Sequence, residues 1–270
     1  MRYLLEPFAA PFMRLALVEL VLLSIVGGLL GAPIVLRGLA FFTHAAGTVT
    51  FPGLVVAPVL GVAPRAAALV AAGACAGCLE LLARRTRAAT DAATALALVG
   101  ALAAGVILAS DIVGTGGGVE ALLFGTLIGL DSGDVAASAG AAVLVVGVTL
   151  AFGRTWLASG LDERSARASG ASVTAADRVL ALTIAVAVVV ALDAVGALLV
   201  SALFVLPAAT ARLYAPSLGG LQLAAVALAG AQGTAGLWLA YRLDAPPGPT
   251  IAVVGGAVFA LAATTRRLWR

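Results

Sequence analysis

The only histidine of the chain, His44, lies in an almost wholly apolar stretch, four residues before Thr48 and eight before Pro52. On a helix, residues four apart share a face, so the imidazole and the hydroxyl would point the same way. Pro52 has no N–H to donate to the carbonyl of Thr48, which leaves that oxygen open to another group. In a bilayer such polar groups are tolerated only against protein or a watery path. The stretch therefore predicts part of a route through a membrane.

The composition indicates which elements position these groups. Hydrophobic residues make up 62% of the chain and charged residues 11%, with a mean hydropathy of +1.13, whereas soluble domains carry about 25% charged residues. Apolar segments of about 20 residues recur along all 270 positions, so we expect residues 1–270 to form a single transmembrane domain. The net charge of +3 comes from arginines between apolar segments, which indicates membrane topology and not nucleic-acid binding.

All sixteen basic residues are arginine. A Walker A loop needs a lysine on the nucleotide phosphates, so the chain is not a conventional P-loop ATPase, and any ATP must be hydrolysed by a partner. The sequence also lacks HExxH, GxSxG and paired intramembrane aspartates, which disfavours an intramembrane enzyme. Cys75 and Cys78 form a CxxC beside Gly73 and Gly77, a pattern that favours close helix packing over redox or zinc chemistry.

The hydropathy pattern predicts an all-α polytopic transmembrane bundle of eight or nine spans. Residues 1–12 are expected at the membrane interface, and the short apolar piece 120–130 is expected to be re-entrant or interfacial. The prolines at 52, 58 and 207 are expected to break helices, and a further break is expected between Asp193 and Gly196. The predicted spans are about 14–36, the His44 stretch to 60, 65–82, 92–110, 134–152, the two parts of 178–214, 219–240 and 249–265.

Arginine placement predicts the orientation of the spans. Nine crossings with a cytoplasmic C-terminus place twelve arginines inside and four outside, which satisfies the positive-inside rule. The inner set is Arg37, Arg84, Arg85, Arg87, Arg154, Arg164, Arg167, Arg178, Arg212, Arg266, Arg267 and Arg270. The outer set is Arg2, Arg14, Arg65 and Arg242. The polar connection at about 154–177 is then cytoplasmic.

That connection contains a short predicted helix. Asp162 is suited to cap its start and Gly170 to end it, with Glu163 and Ala166 between them. A solvated connector without a further role is the alternative interpretation.

Several sequence blocks resemble the permease of the ABC-3 family, in the order that the family has them. The similar blocks are LRGLAF with FPG at 36–41 and 51–53, LLFGTL at 122–127, LDERSARASG at 161–170, VGALLV with VLPAATA at 195–200 and 205–211, and PPGPT at 246–250.

The resemblance implies half of a type II importer of zinc, manganese or iron in a prokaryotic cell (inner) membrane. Two permease copies, expected to be a homodimer, would pair with a cytoplasmic ABC ATPase dimer, and an extracytoplasmic metal-binding protein would deliver the ion. The chain itself would hold no cofactor, and the transported ion would be Zn²⁺ or Mn²⁺. The segment from Asp162 to Gly170 would be the coupling helix that seats in the ATPase.

The resemblance also assigns the pathway, with one departure. The family block usually reads GDALSHA, with an aspartate and a histidine one turn apart; here these positions are His44 and Thr48. One imidazole with hydroxyl and carbonyl oxygens makes a weak site, as a conduit needs, and imidazole suits zinc while manganese prefers oxygen. Asp193 lies beside the expected break in 178–214, and from that position it is expected either to line the outer vestibule or to cap a helix at the interface. The alternatives are a structural histidine, a threonine bonded to its own helix, and a secondary transporter or channel that needs no ATPase.

Overall fold

The computed structural model describes residues 6–83, 87–112, 125, 127, 129–170 and 172–268. Within these residues every regular element is helical. A 3-10 turn, Glu6–Ala9, precedes ten α-helices. They are α1 Pro11–Arg37, α2 Ala40–Leu60, α3 Pro64–Ala83, α4 Arg87–Ile112, α5 Ser132–Leu161, α6 Glu163–Ala168, α7 Val173–Val195, α8 Ala197–Arg212, α9 Leu218–Leu243 and α10 Pro247–Leu268.

Seven of the described helices are long and apolar enough to cross a membrane: α1, α2, α4, α5, α7, α9 and α10. Two shorter apolar helices, Pro64–Cys78 and Ala202–Arg212, form parts of α3 and α8. The predicted polytopic helical bundle is confirmed. Seven described helices meet the length of a span, fewer than the expected eight or nine, and the two shorter helices would also have to cross to make nine.

Helix α1 is the centre of the bundle and packs on α5, α8 and α9. Close approach to α8 depends on Gly27 and Gly31: a Cβ atom added at Gly31 would collide with the backbone oxygen of Phe204. The glycines predicted to pack on α3 behave differently, because a Cβ at Gly73 or Gly77 would meet nothing within 4 Å. The thiols on the same helix, Cys75 and Cys78, are both free.

Polar contacts show which helix ends share a side. Arg37, at the end of α1, forms a 2.5 Å ion pair with Asp177 in the first turns of α7. Arg212, at the end of α8, donates from Nη1 to the carbonyl oxygen of Val35 at 3.2 Å. The hydroxyl of Tyr214 donates to the carbonyl oxygen of Ala262 near the end of α10 at 2.7 Å. These ends form one face of the bundle, called the inner face below.

The opposite helix ends form the outer face. The Arg65 guanidinium is hydrogen bonded to the Asp134 carboxylate, which joins the starts of α3 and α5. Gly236 lies against Ile251, which joins the end of α9 to the start of α10. Helices α1 to α5 and α7 to α10 therefore alternate in direction, as the arginine pattern predicted. The described arginines on the inner face outnumber those on the outer face, a distribution that the positive-inside rule associates with a cytoplasmic side.

The predicted break in 178–214 is confirmed. Helix α7 ends at Val195, Gly196 has a φ of 77°, and α8 begins at Ala197. That positive φ is costly for residues with a side chain, which explains glycine at this position.

The expected breaks at the prolines are wrong, because α2 continues through Pro52 and Pro58 and α8 continues through Pro207. A proline in a helix removes one N–H donor and crowds the preceding turn. Neighbouring helices and nearby threonine hydroxyls can satisfy the freed carbonyls, so membrane helices tolerate it. In α2 the carbonyl that Pro52 frees is that of Thr48, and the hydroxyl of Thr50 donates to the neighbouring carbonyl oxygen of Gly47 at 2.5 Å.

The cytoplasmic connection is shorter than the expected 154–177. Helix α5 continues to Leu161 and α7 begins at Val173, so only residues 162–172 lie between the two spans. Helix α5 continues through the polar residues before 162 because its apolar side chains there pack on the bundle: Trp156 is fully buried and Leu157 is 8% exposed. The glycine-rich loop at 114–118 and most of the 120–130 piece lie outside the described residues.

Candidate functional site: the inner half of helix α2 and the coupling segment

Helix α2 carries His44 near the inner face. The chain leaves α1 through Gly38, which has a φ of 70°, and α2 begins at Ala40. His44 is thus in the second turn of α2 and is half-buried, while Thr48, one turn farther from the inner face, is 5% exposed. The Oγ1 of Thr48 donates a hydrogen bond of 3.1 Å to the carbonyl oxygen of His44. The threonine proton is therefore committed to its own helix, and the oxygen lone pairs remain as acceptors.

The same half of α2 carries two more buried threonines. Thr43 Oγ1 donates to the carbonyl oxygen of Leu39 at 3.0 Å, and Thr50 Oγ1 donates to that of Gly47 at 2.5 Å. Both hydroxyl protons are directed into the helix, so what these side chains can offer a passing ion is oxygen lone pairs. Thr43 and Thr50 are seven residues apart and share one face of α2, whereas Thr48 lies four residues from His44, so of these threonines Thr48 is the one on the His44 face.

The described residues around His44 do not form a strong metal site. Among the described residues no cluster of three or more His, Cys, Asp or Glu side chains could hold a metal ion. Tight sites for zinc use four such ligands, and manganese prefers carboxylate, carbonyl and water oxygens. A site with a single imidazole and neutral oxygens suits transient passage better than storage.

Asp193 does not join this group. It lies in the last turn of α7, directly after Leu192, which packs in one buried cluster with Leu54 of α2. Leu54 is ten residues beyond His44, which corresponds to about 15 Å along the helix axis. Asp193 is thus near the outer face and His44 near the inner face; the Asp193 side chain itself lies outside the described part of the structure.

The predicted cytoplasmic helix is present as α6, Glu163–Ala168. The carboxylate of Asp162 caps it by accepting from the backbone N–H groups of Arg164 and Ser165 at 3.0 and 3.2 Å. The hydroxyl of Ser165 also donates to Asp162 at 2.6 Å, and these hydrogen bonds, that from the hydroxyl above all, lower the pKa of the Asp162 carboxyl. Gly170, with a φ of 85°, follows the helix and turns the chain.

Helix α6 presents a charged surface on the inner face. Ala166 is its only buried residue, at 5% exposure, and anchors it to the bundle. Glu163 accepts two hydrogen bonds from the guanidinium of Arg167, at 2.7 and 3.0 Å, on the exposed side. Helix α6 is therefore short, capped at its start and charged on its exposed side.

Three contacts hold the base of this segment, and the sequence did not reveal them. Trp156 of α5 donates from Nε1 to the carbonyl oxygen of Ala176 in α7 at 2.7 Å. The backbone of Gly160 packs on Arg37, since a Cβ there would lie 3.2 Å from the Cγ of Arg37. Arg37 forms the ion pair with Asp177. In the sequence, Arg37 was used only as a positive charge at the end of a span. The acidic residue Asp177 lies beside another predicted span end, and this pairing of opposite charges could have predicted the ion pair.

Glu19, a buried carboxylic acid in α1, has a hydrogen-bond partner on another helix. The hydroxyl of Ser138 in α5 donates to Oε1 of Glu19 in α1. Glu19 is 1% exposed and Ser138 also 1% exposed. The pair ties α1 to α5 within the membrane-spanning part of the bundle.

An all-helical bundle of alternating apolar helices, with a capped helix between two of them at one face, is the fold of a multi-pass membrane protein. The ABC 3 transport family matches residues 9–266, so the chain belongs to that family.

Proteins of known role resemble the chain over most of its length. It is 28% identical over 251 residues to the manganese transport system membrane protein MntC of Halalkalibacterium halodurans, covering 93% of this chain and 86% of that protein. It is 26% identical to the chelated iron transport system membrane protein YfeD of Yersinia pestis, over 95% and 86% of the two chains. The solved structure of PsaBC from Streptococcus pneumoniae in complex with Fab has the same fold, with a TM-score of 0.83, 24% identity and coverage of 94% and 91%.

Proposed function

We propose that the chain is the permease subunit of an ATP-driven importer of a divalent transition-metal ion. The single observation that carries this is helix α6, which sits on the inner face between two spans and is capped by Asp162. Membership of the ABC 3 transport family fits a permease whose ATPase is a separate subunit. ATP would be hydrolysed by a cytoplasmic dimer that binds α6, and not by this chain.

The ion is assigned by its chemistry. The similar proteins named above are manganese and iron transport proteins, and the hydroxyl and carbonyl oxygens of α2 suit Mn²⁺. His44 adds an imidazole, which suits Zn²⁺ and Fe²⁺ as well. We take Mn²⁺ as the first candidate and Zn²⁺ and Fe²⁺ as its competitors, with no cofactor held by the chain itself.

The assembly would have two copies of this chain, two ATPases and an extracytoplasmic binding protein. ATP binding closes the ATPase dimer, and α6 carries that movement to the spans on either side. The ion enters from the binding protein at the outer face, where Asp193 lies, and leaves past Thr48 and His44 at the inner face. Weak coordination at His44 allows the ion to be released to the cytoplasm.

The test is metal uptake in bacterial cells that lack their own manganese importers. The chain is expressed with its ATPase and binding protein, and ⁵⁴Mn uptake is measured with and without excess Zn²⁺ or Fe²⁺. The matched control carries an ATPase whose Walker A lysine is replaced by alanine. We expect uptake only with the intact ATPase. Uptake of equal size with the inactive ATPase would show a secondary transporter or channel instead.

A further inference from the structure

Arg37 is held by both ends of the coupling segment. On one side, Gly160 lies two residues before Asp162 and packs against Leu36 and Arg37: a Cβ added at Gly160 would lie 3.1 Å from the Cβ of Leu36 and 3.2 Å from the Cγ of Arg37. On the other side, Asp177 in the first turns of α7 forms a 2.5 Å ion pair with the guanidinium. Helix α6 lies between these two contact points in the sequence. Any displacement of α6 that moves the end of α5 or the start of α7 therefore acts directly on Arg37.

Apart from Asp177, little in the described structure neutralises or solvates the charge of the Arg37 guanidinium. The Arg37 side chain is 13% exposed, and its Nη1 is buried without a hydrogen-bond partner among the described residues. The Asp177 side chain is 36% exposed. A cation so sheltered from water depends on its ion partner, because a charge left alone in such a place is costly. The two residues are expected to move together.

Arg37 is also joined directly to helix α2. Only Gly38 and Leu39 separate it from Ala40, the first residue of α2, and Gly38 is in the left-handed region with a φ of 70°. No side chain restrains Gly38, and a Cβ there would meet nothing within 4 Å, so the turn has room to change. His44 lies seven residues after Arg37. A shift of Arg37 therefore reaches the inner end of α2 through two residues of chain.

We propose that Arg37 is the positioning residue that passes the movement of helix α6 to the inner half of α2, with Asp177 as its obligatory partner. The ion pair fixes the start of α2 relative to the coupling segment, and the Gly38 turn absorbs the change in angle when α6 moves. Arg37 touches neither the ion nor ATP. This proposal rests on the proposed function, because it concerns how ATP hydrolysis by the partner is coupled to opening of the path at His44.

The experiment uses the full complex in proteoliposomes and measures two rates: ATP hydrolysis, and ⁵⁴Mn uptake driven by the loaded binding protein. The variants are Arg37→Gln, Asp177→Asn and the exchanged pair R37D/D177R. The matched control is Arg65→Gln, which removes the cation of an ion pair at the outer face. Coupling energies in proteins correspond to about fivefold or larger effects. We expect Arg37→Gln and Asp177→Asn to hydrolyse ATP at the basal rate but to move at least about fivefold less metal per ATP.

A purely structural role would lower both rates together, through loss of folded complex, and leave the metal moved per ATP unchanged. If R37D/D177R again moves as much metal per ATP as the wild type, the proposal is supported. If this exchanged pair does not fold, the two single variants decide the question. The role of Arg37 would be overturned if both single variants moved as much metal per ATP as the wild type, or if Arg65→Gln lost as much metal per ATP as they do. The proposed function would stand in either case. No ATP-driven uptake by the wild type would overturn the proposed function, and this proposal with it.

Discussion

The indole Nε1 of Trp156 donates a 2.7 Å hydrogen bond to the carbonyl oxygen of Ala176. The two residues belong to α5 and α7, the spans on either side of helix α6, and Trp156 is fully buried. Phe152 stacks on the same indole with ring centroids 6.2 Å apart. Helix α6 therefore extends from a base that is packed and hydrogen bonded, as its proposed role in passing on a movement requires.

Replacement of Trp156 by phenylalanine tests this base. It keeps an aromatic ring but leaves the Ala176 carbonyl without its donor, and an unsatisfied buried group costs about 1–3 kcal/mol. We expect a lower unfolding temperature for Trp156→Phe, measured by fluorescence in detergent. Trp238→Phe is the matched control, because the Trp238 Nε1 has no hydrogen-bond partner among the described residues. Equal loss of stability in both variants would show that the hydrogen bond is unimportant.

Gly31 is predicted to be essential for packing of α1 on α8. An alanine there places Cβ against the backbone oxygen of Phe204 and 2.8 Å from the Cβ of Ala208. Backbone cannot move aside easily, and such overpacking costs about 1–3 kcal/mol. Gly31→Ala should therefore reduce folded protein in the membrane, measured by size-exclusion chromatography. Gly73→Ala, also in a helix but with open space around it, should be neutral or stabilising. A normal elution profile for Gly31→Ala would contradict the packing.

The lowered pKa of Asp162 predicts at which pH the cap of helix α6 is lost. The pKa of Asp162 is lowered from 3.8 by its hydrogen bonds, so the carboxylate favours the folded helix above that value, and this contribution is lost as the pH falls through the lowered pKa. Both ends of the range from about pH 6 to pH 8 lie well above this pKa, so the carboxylate stays ionised throughout that range. The effect of the cap on transport should therefore not change between roughly pH 6 and pH 8. Asp162→Ala should lower transport several-fold throughout that range, while Asp162→Asn, which can still accept from the backbone, should lower it less. A pH-dependent difference between wild type and Asp162→Asn in this range would contradict the assignment.

Ion preference should follow the residues at 44 and 48. The double variant H44D/T48H restores an aspartate and a histidine one turn apart, and a carboxylate oxygen favours Mn²⁺ over Zn²⁺. We expect Zn²⁺ to compete less with ⁵⁴Mn uptake in this variant than in the wild type, in the same cells and at equal expression. Thr264→Val is the control, since it removes a hydroxyl bonded to its own helix, α10, and leaves positions 44 and 48 unchanged. Unchanged competition in the double variant would show that these positions do not contact the ion.

The sequence predicted the spans, their direction and helix α6, because hydropathy, arginine placement and capping residues are local signals. It predicted the break at Gly196 for the same reason. It was wrong about Pro52, Pro58 and Pro207, because whether a proline ends a helix depends on what packs around it. The Arg37 and Asp177 pair, the Trp156 hydrogen bond and the Ser138 partner of Glu19 join residues far apart in the chain, and no local pattern encodes such contacts.

The central claim is that ATP hydrolysis by a partner drives a divalent transition metal past His44. It is tested most directly by ⁵⁴Mn accumulation in proteoliposomes that hold the chain, its ATPase and loaded binding protein, for wild type and His44→Ala, with ATP hydrolysis recorded in parallel. Wild type should accumulate metal only with hydrolysable ATP, and His44→Ala should accumulate about tenfold less while hydrolysis continues, since loss of one pathway interaction of 1.4 kcal/mol gives that factor. Full accumulation by His44→Ala would contradict the role of His44, and accumulation without ATP would contradict the importer.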